Sequence, residues 1–297
     1  MEPEAVVNQK FNDKRMKSFY SQSYYFLRIF LHKNRWLLRF TQILRALIIL
    51  GPFREQIVRY FQKFGNNKPL PVSELVLFSN LDVDEAVRNI NAKGFSDGEK
   101  LSEEYVDKII EFSNKINAMK IMNPHKDCKV IDELSRNEKI MQVVRRYLGA
   151  EPRLWLTELR WTLPKLENPV ELPSIYEEII QHDACAFHYD SLDCKSLTVF
   201  IYLTDVDVDS GPHVHIEGTQ NKSMKDLMNL IISDSNAQKK YGRRIKTVLG
   251  KAGTVFFEDT SIYHKVATSQ KARLLLMIDY VLQRSIPPER PILKQPH

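Results

Sequence analysis

The sequence predicts an α+β protein whose second half is mainly β, and three observations lead to this fold class. Up to about residue 150 the apolar residues recur at helical spacing. Beyond Glu151 they form short runs, rich in β-branched and aromatic residues, between turns that contain Gly, Asp, Ser or Pro. The 297 residues include 43% apolar and 27% charged side chains, as in ordinary globular proteins. Many short strands with Gly-containing turns favour a sandwich or jelly roll.

Start and stop signals divide the first half into helices. Asp82 and Gly94 bound one of them, and Gly51-Pro52 interrupts another. The expected helical segments are residues 18–64, Ala86–Ile90, Ser102–Ile116 and Ile131–Leu148.

The second half reads as a series of strands. The predicted strands are LWLTELRWTL, SLTVFIYL, HVHI, IKTVL, GTVFFE and RLLLMIDYVL, with one helical insertion at about Ser223–Ser233.

Residues 1–65 carry an excess of positive charge. Twelve Lys or Arg against four Asp or Glu give this segment +8, while the whole chain carries +6. We therefore expect a basic, aromatic-rich helical extension over residues 1–70 and a main domain over 71–297. The extension is typical either of helices packed on the main domain or of an amphipathic segment on an anionic membrane surface. Nucleic acid ranks last as a partner, because no helix-turn-helix, RNP or zinc-finger pattern accompanies the charge.

Compartment and membrane topology follow from a few further features. Three cysteines, an odd and small number, argue against a disulfide framework and for a reducing compartment. The uncharged run Ala46–Phe53 of the extension is too short to span a bilayer. The first residues lack the pattern of a signal peptide. We expect a cytoplasmic protein, either free or peripheral to a membrane.

The stretch CAFHYDSLDC, residues 185–194, contains the first candidate site. His188 and Asp190 lie two positions apart, at the start of the Ser196–Leu203 run or just before it, and an i, i+2 pair on extended chain points to one side. Both side chains can therefore reach one metal ion, although this spacing is common by chance. Non-haem Fe(II) oxygenases need a second histidine, and His264 follows a later predicted strand.

Arg273 opens an almost wholly apolar predicted strand, Leu274–Ile278. A guanidinium in such a place needs an anionic partner, because an unpaired buried charge is destabilising. Two partners fit the sequence. One is a ligand carboxylate held in a bidentate pair, and the other is a protein carboxylate such as Asp279.

Together these features resemble the phytanoyl-CoA dioxygenase family of Fe(II)/2-oxoglutarate oxygenases. The resemblance covers about residues 75–285 and rests on FHYD, on YLTDVD followed by SGP, on EGTQ, and on the spacing of the later His and Arg. Glu217 and Gln220 depart from the Pro and His that the family usually has in the EGTQ turn. The extension before about residue 70 lies outside the common core of the family.

The resemblance implies a double-stranded β-helix (jelly-roll, cupin-like) core over about residues 151–285, with helices from about 75–150 packed outside it. It also implies the cofactors Fe(II), 2-oxoglutarate and O2. Thr198 and Phe200 share a strand face and are candidates for the co-substrate pocket, where Thr198 fits a packed core residue equally well. The residues carried over from the family are His188, Asp190 and His264 as iron ligands and Arg273 as the anchor of the distal carboxylate of 2-oxoglutarate.

The function so implied is C–H oxidation, with hydroxylation first, of a small organic or lipid-like metabolite, releasing succinate and CO2. Asp190 supports this reaction type because related halogenases vacate the carboxylate position for a halide. Two alternatives stay open: a non-catalytic jelly-roll binding module, and an oxygenase that acts on protein or nucleic acid through the basic extension.

Other polar residues compete for a role. His213 and His215 form an HxH pair on a predicted strand where the family usually has apolar residues. A second metal site and a substrate contact are both open interpretations of this pair. Cys185 and Cys194 flank the first motif, and we expect both to be small buried hydrophobic residues.

Overall fold

The computed structural model describes residues 35–65, 67–164, 185–283 and 293–294. Its contacts divide the chain into two units, residues 1–46 and residues 47–297. The helix predicted over residues 18–64 is present from residue 35 onward, with the break at Gly51-Pro52, and its first part lies outside the described residues. Within the described ranges, no helix combines the length and the apolar character that crossing a bilayer requires.

The helices are, in chain order, α1 Arg35–Leu50, α2 Arg54–Phe64, α3 Val83–Lys93, α4 Glu103–Ile116, α5 Lys129–Ser135, α6 Glu138–Leu148, α7 Met224–Met228 and α8 Asp234–Tyr241. The strands are β1 Phe95–Asp97, β2 Ala118–Met122, β3 Arg153–Thr162, β4 Phe187–His188, β5 Ser196–Tyr202, β6 His213–Ile216, β7 Ile231–Ile232, β8 Ile245–Val248, β9 Val255–Glu258, β10 His264–Val266, β11 Arg273–Val281 and β12 Leu293–Lys294.

The strands form two antiparallel sheets that face each other. The larger sheet has the order β1-β9-β5-β11-β3-β2-β12, and the smaller one has the order β7-β4-β10-β6-β8. Consecutive strands from β3 onward mostly alternate between the two sheets, so the chain winds around a shared interior. This is the double-stranded β-helix that the sequence predicted.

Alternate residues of the large sheet face different surroundings. On β5, Leu197, Val199 and Ile201 pack with the apolar faces of helices α3 to α6 in the main core. Phe200 and Tyr202 of the same strand belong instead to a second cluster, between the sheets. Because side chains alternate along a strand, β5 is buried on both faces, which explains its continuous apolar sequence.

Local signals set several helix ends as predicted. The Asp82 side chain accepts a hydrogen bond from the backbone N–H of Glu85 at the start of α3, and Gly94 ends that helix at a φ of 79°. The single helix predicted over Ile131–Leu148 is wrong, because the structure has two. Asn137 lies between them and caps α6 by accepting from two of its backbone N–H groups.

The six predicted strands are confirmed, and three other expectations need correction. The insertion predicted as one helix over Ser223–Ser233 contains the short helix α7 and the strand β7, and a second helix, α8, follows. His188 does not precede β5 within one strand but ends β4, in the opposite sheet. Cys194 is buried as expected, whereas Cys185 is exposed.

Candidate metal centre

The two histidines of the predicted triad lie opposite each other on neighbouring strands of the small sheet. His188 pairs in register with His264, the first residue of β10. Directly paired residues of neighbouring strands point to the same face, so the two rings meet with their centroids 4.5 Å apart. The strand register thus brings together two residues that are distant in the sequence.

Asp190 completes the group from just beyond the end of β4. Its backbone N–H donates to the carbonyl oxygen of Thr260 over 2.8 Å, which fixes this loop beside the segment that leads into β10. Its Oδ2 lies 3.7 Å from Nε2 of His264. One candidate ligand atom from each of His188, Asp190 and His264 lies within 4.8 Å of the other two. The structure therefore brings the whole predicted triad together.

Backbone carbonyls orient both rings. The Nδ1 atom of His188 lies 2.9 Å from the carbonyl oxygen of Ala186, and that of His264 lies 3.1 Å from the carbonyl oxygen of Ile262. A carbonyl oxygen only accepts hydrogen bonds, so Nδ1 carries the proton in each ring and Nε2 keeps its lone pair. Both imidazoles are prepared to bind a metal ion through Nε2.

The triad lies at the edge of the interior. The Asp190 side chain is 40% exposed, while that of His264 is 9% exposed. Burial, and then the neighbouring His188, lower the pKa of His264 to about 4, so this ring is a neutral ligand at pH 7. Two imidazoles and one carboxylate on one side of a point fit a ferrous ion that keeps open positions.

Arg273 is buried at the start of β11, and within the described residues no carboxylate pairs with it. Its Nη1 donates to the carbonyl oxygen of Gly211 and its Nη2 to Oγ1 of Thr162 over 3.3 Å, whereas Nε has no partner. Burial lowers the pKa of Arg273, and no carboxylate is among the causes that oppose this shift. A buried guanidinium with an unused donor fits the carboxylate of a ligand.

The protein carboxylate considered as its partner is engaged elsewhere. Asp279 accepts a hydrogen bond from Oγ1 of Thr198 over 2.6 Å. It also lies six positions along β11 from Arg273, which corresponds to about 20 Å of extended chain. Within the described ranges no ion pair joins Arg273 to Asp279, so the alternative of a protein ion pair gains no support.

The two residues suggested for the co-substrate pocket lie differently. Thr198 is fully buried and holds Asp279. Phe200 stacks on Phe256 with centroids 4.9 Å apart, and its centroid lies 5.1 Å from that of His213. That histidine ring in turn lies 5.5 Å from the ring of His264. Phe200 is therefore one ring away from the triad, and a co-substrate contact of either residue stays a prediction.

Glu258 is a site residue that was not anticipated from the sequence. Its Oε2 and Nε2 of His213 share a hydrogen bond of 2.7 Å, and its Oε1 lies 3.4 Å from Nδ1 of His264. Burial raises the pKa of Glu258 to about 8, and burial followed by Arg273 lowers the pKa of His213 to about 3. The signal in the sequence is an acidic residue that closes an otherwise apolar strand, VFFE.

A second unanticipated contact comes from helix α2. The guanidinium of Arg54 donates to the carbonyl oxygens of Cys194 and Gln220 over 2.8 and 3.0 Å, and it pairs with Oδ2 of Asp259 at 3.2 Å. The hydroxyl of Tyr147 donates to the same carboxylate oxygen over 2.5 Å. Asp259 lies in the loop before β10, so Arg54 joins three segments that surround the triad.

Comparison with solved structures finds the same fold. The structure of EctD from S. alaskensis with bound Fe matches with a TM-score of 0.50 at 16% identity, covering 75% of this chain and 86% of that chain. The carbocyclase SnoK from nogalamycin biosynthesis, a non-heme alpha ketoglutarate dependent enzyme, matches with 0.49 at 19% identity, covering 72% and 87%. At such identities the likeness to EctD shows the fold alone. No protein-family model matches the chain, and neither does any curated protein sequence.

Proposed function

We propose that the protein is an Fe(II)- and 2-oxoglutarate-dependent oxygenase of the phytanoyl-CoA dioxygenase kind. The observation that carries the proposal is the triad of His188, Asp190 and His264 together with the buried guanidinium of Arg273, which has no carboxylate partner among the described residues. A buried cation without a counter-charge destabilises a packed core. A bound dicarboxylate accounts for it.

Each residue has a defined task in this proposal. His188, Asp190 and His264 would hold the ferrous ion, and Arg273 would bind the distal carboxylate of 2-oxoglutarate as a bidentate pair. When bound, the ion together with 2-oxoglutarate and O2 supplies the oxidation, with succinate and CO2 as co-products. The carbonyl oxygens of Ala186 and Ile262 keep the Nε2 lone pairs directed at the ion.

We further propose that the outcome is C–H oxidation, most simply hydroxylation, of a small organic or lipid-like metabolite. Asp190 fills the carboxylate position, so that position is closed to a halide. The apolar rings of Phe200 and Phe256, one ring away from the triad, suit an uncharged part of a substrate or co-substrate.

Anaerobic titration of the metal-free, full-length protein with Fe(II) and then 2-oxoglutarate tests the proposal. The readouts are the visible charge-transfer absorption of the chelate and, after O2 is admitted, succinate. Arg273→Gln is expected to weaken 2-oxoglutarate roughly 10–100-fold, because it removes hydrogen bonds to a charged group. Arg243→Gln, which changes an exposed arginine, is the matched control. Wild-type protein that binds neither Fe(II) nor 2-oxoglutarate would overturn the proposal.

We also propose that residues 1–65 make peripheral contact with an anionic membrane. In the described part of this segment, Phe53, Tyr60 and Phe64 are 69%, 58% and 57% exposed. Their spacing of seven and four residues gives them one side of α2. Exposed Arg59 and Lys63 accompany them. Exposed aromatic rings beside basic residues are typical of helices that lie in a membrane interface.

Sedimentation with vesicles tests this contact. The protein is expected to sediment with phosphatidylserine-containing vesicles and not with pure phosphatidylcholine vesicles, and Phe53→Ser/Phe64→Ser is expected to abolish the binding. Leu249→Ser, which removes a different exposed apolar side chain, serves as control. Equal binding of variant and wild type, or salt-sensitive binding to RNA instead of vesicles, would contradict the membrane contact.

A further inference from the structure

A second group of two histidines and one carboxylate lies between the sheets. His213 and His215 lie two positions apart on β6 and so point to the same face. Glu258 approaches them from the end of β9, in the opposite sheet. All three residues are buried, at 4%, 1% and 0% exposure. One candidate ligand atom from each of the three lies within 4.8 Å of the other two.

The polar atoms of this group are only partly satisfied. Within the described residues neither ring nitrogen of His215 has a hydrogen-bond partner, and the ring lies flat against Phe95 with centroids 4.0 Å apart. In Glu258, Oε2 shares a hydrogen bond with His213, whereas Oε1 has, in the same part of the chain, only the longer approach of His264 at 3.4 Å. A buried imidazole without any hydrogen-bond partner destabilises a protein relative to one whose nitrogens are satisfied. An apolar residue would pack here without that loss.

We propose that His213, His215 and Glu258 form a second metal site, which takes a divalent transition-metal ion. The ligand chemistry selects the class of ion. Imidazole suits zinc, iron, cobalt, nickel and copper, whereas calcium and magnesium prefer all-oxygen sites. The ion would replace the proton that His213 and Glu258 share, and it would give His215 a partner that no described residue provides.

A cavity gives a metal ion access to this group, and Glu258 connects the group to His264 of the first one. A cavity of about 290 Å³ reaches His215 and Phe95, and Asp97 and Glu217 line it together with Lys93 and Lys246. On the other side, Oε1 of Glu258 lies beside Nδ1 of His264. One carboxylate would therefore bind the second ion through Oε2 and support the ring of a first-site ligand through Oε1.

Metal stoichiometry tests the proposal without any need for activity. The chelator-treated, full-length protein is titrated with Co(II), followed by calorimetry and by the visible absorption of the bound ion. Wild type is expected to bind two equivalents. His215→Leu and Glu258→Gln are each expected to bind one equivalent, at the first site. The double variant His188→Ala/Asp190→Ala is also expected to bind one equivalent, but at the second site. His125→Leu, a histidine outside both groups, is the control and should still bind two.

The outcomes separate the two sites. If wild type binds one equivalent of Co(II), and His215→Leu and Glu258→Gln each still bind it, the second site is overturned and the oxygenase proposal stays intact. A single equivalent that survives His188→Ala/Asp190→Ala and is lost in His215→Leu supports the second site and contradicts the first. Cooperative thermal unfolding of each variant shows that a lost equivalent reflects lost ligands and not a lost fold. If His215→Leu does not fold, Glu258→Gln, which preserves the side-chain volume, decides the question.

Discussion

Two groups of two histidines and one carboxylate lie close together in this protein, and their surroundings differ. At the edge, His188 and His264 each have Nδ1 beside a backbone carbonyl oxygen, and the Asp190 side chain is 40% exposed. In the interior, no residue of the described part of the chain is a partner for either ring nitrogen of His215, and Glu258 is fully buried. The same donor types are thus satisfied in one place and partly unsatisfied a few ångströms away.

The difference teaches how a β-structure prepares a metal ligand. A carbonyl oxygen behind the ring fixes the tautomer and directs Nε2 outward, and partial exposure lets water solvate the carboxylate when no ion is bound. The edge group can therefore stay intact without metal. The interior group lacks both supports, so its stability depends on what binds there. Four measurements test this contrast.

The largest effect is expected from Asp190→Ala. It removes the only carboxylate of the edge group, so Fe(II) affinity should fall by more than the roughly 10–100-fold typical of residues that only support a ligand. Anaerobic calorimetry measures the affinity. Asp209→Ala, in a loop away from the site, should leave it unchanged, and an equal loss in both variants would refute a ligand role.

Glu258→Gln is expected to weaken Fe(II) binding at the edge group by about 10-fold. The change keeps the shape of the side chain but removes the acid group whose Oε1 lies beside Nδ1 of His264, and this group acts on the metal only through the ring. The same calorimetric titration measures it. Unchanged affinity would show that the 3.4 Å approach is mere proximity and that the two groups are independent.

His215→Leu is expected to stabilise the metal-free protein by about 1–3 kcal/mol, because it removes two unsatisfied buried nitrogens. Urea unfolding in the presence of chelator measures the free energy. His125→Leu is the contrasting control. Its ring nitrogen lies 2.7 Å from Oγ1 of Thr157, so its loss should destabilise the protein. If His215→Leu instead destabilises the protein as much as His125→Leu does, His215 is a core residue whose hydrogen bonds are satisfied.

The smallest expected effect is a change in how steeply the free energy of unfolding depends on pH. Burial and then His213 lower the pKa of His215 to about 2 in the folded protein, below the ordinary value of 6.5. Between about pH 6 and pH 4 the unfolded chain therefore binds a proton at this position that the folded chain does not, and stability falls as the pH falls. In metal-free protein, His215→Leu should make this slope shallower by about 1.4 kcal/mol per pH unit. Parallel slopes for variant and wild type would contradict the burial of an unpaired ring.

Burial on both faces decides how much of this structure is predictable from sequence. Ser196–Tyr202 is buried throughout, so its apolar run identified a central strand, and the HxD spacing with Arg273 indicated the edge group. The strands Phe187–His188 and Ile231–Ile232 have two residues each, too few to show any period. Glu258 and Arg54 act through partners far away in the chain, which no local pattern records.

Arg54 also has a consequence for synthesis on the ribosome. Its partners at Cys194, Gln220 and Asp259 lie 140, 166 and 205 residues further along the chain. At ordinary elongation rates, about 10–40 s separate the appearance of the arginine from that of Asp259. During that interval Arg54 of helix α2 cannot form its ion pair with Asp259. Contacts between residues so far apart in the sequence also form slowly once both have been made. The loops around the triad therefore become fixed only when almost the entire chain has been made.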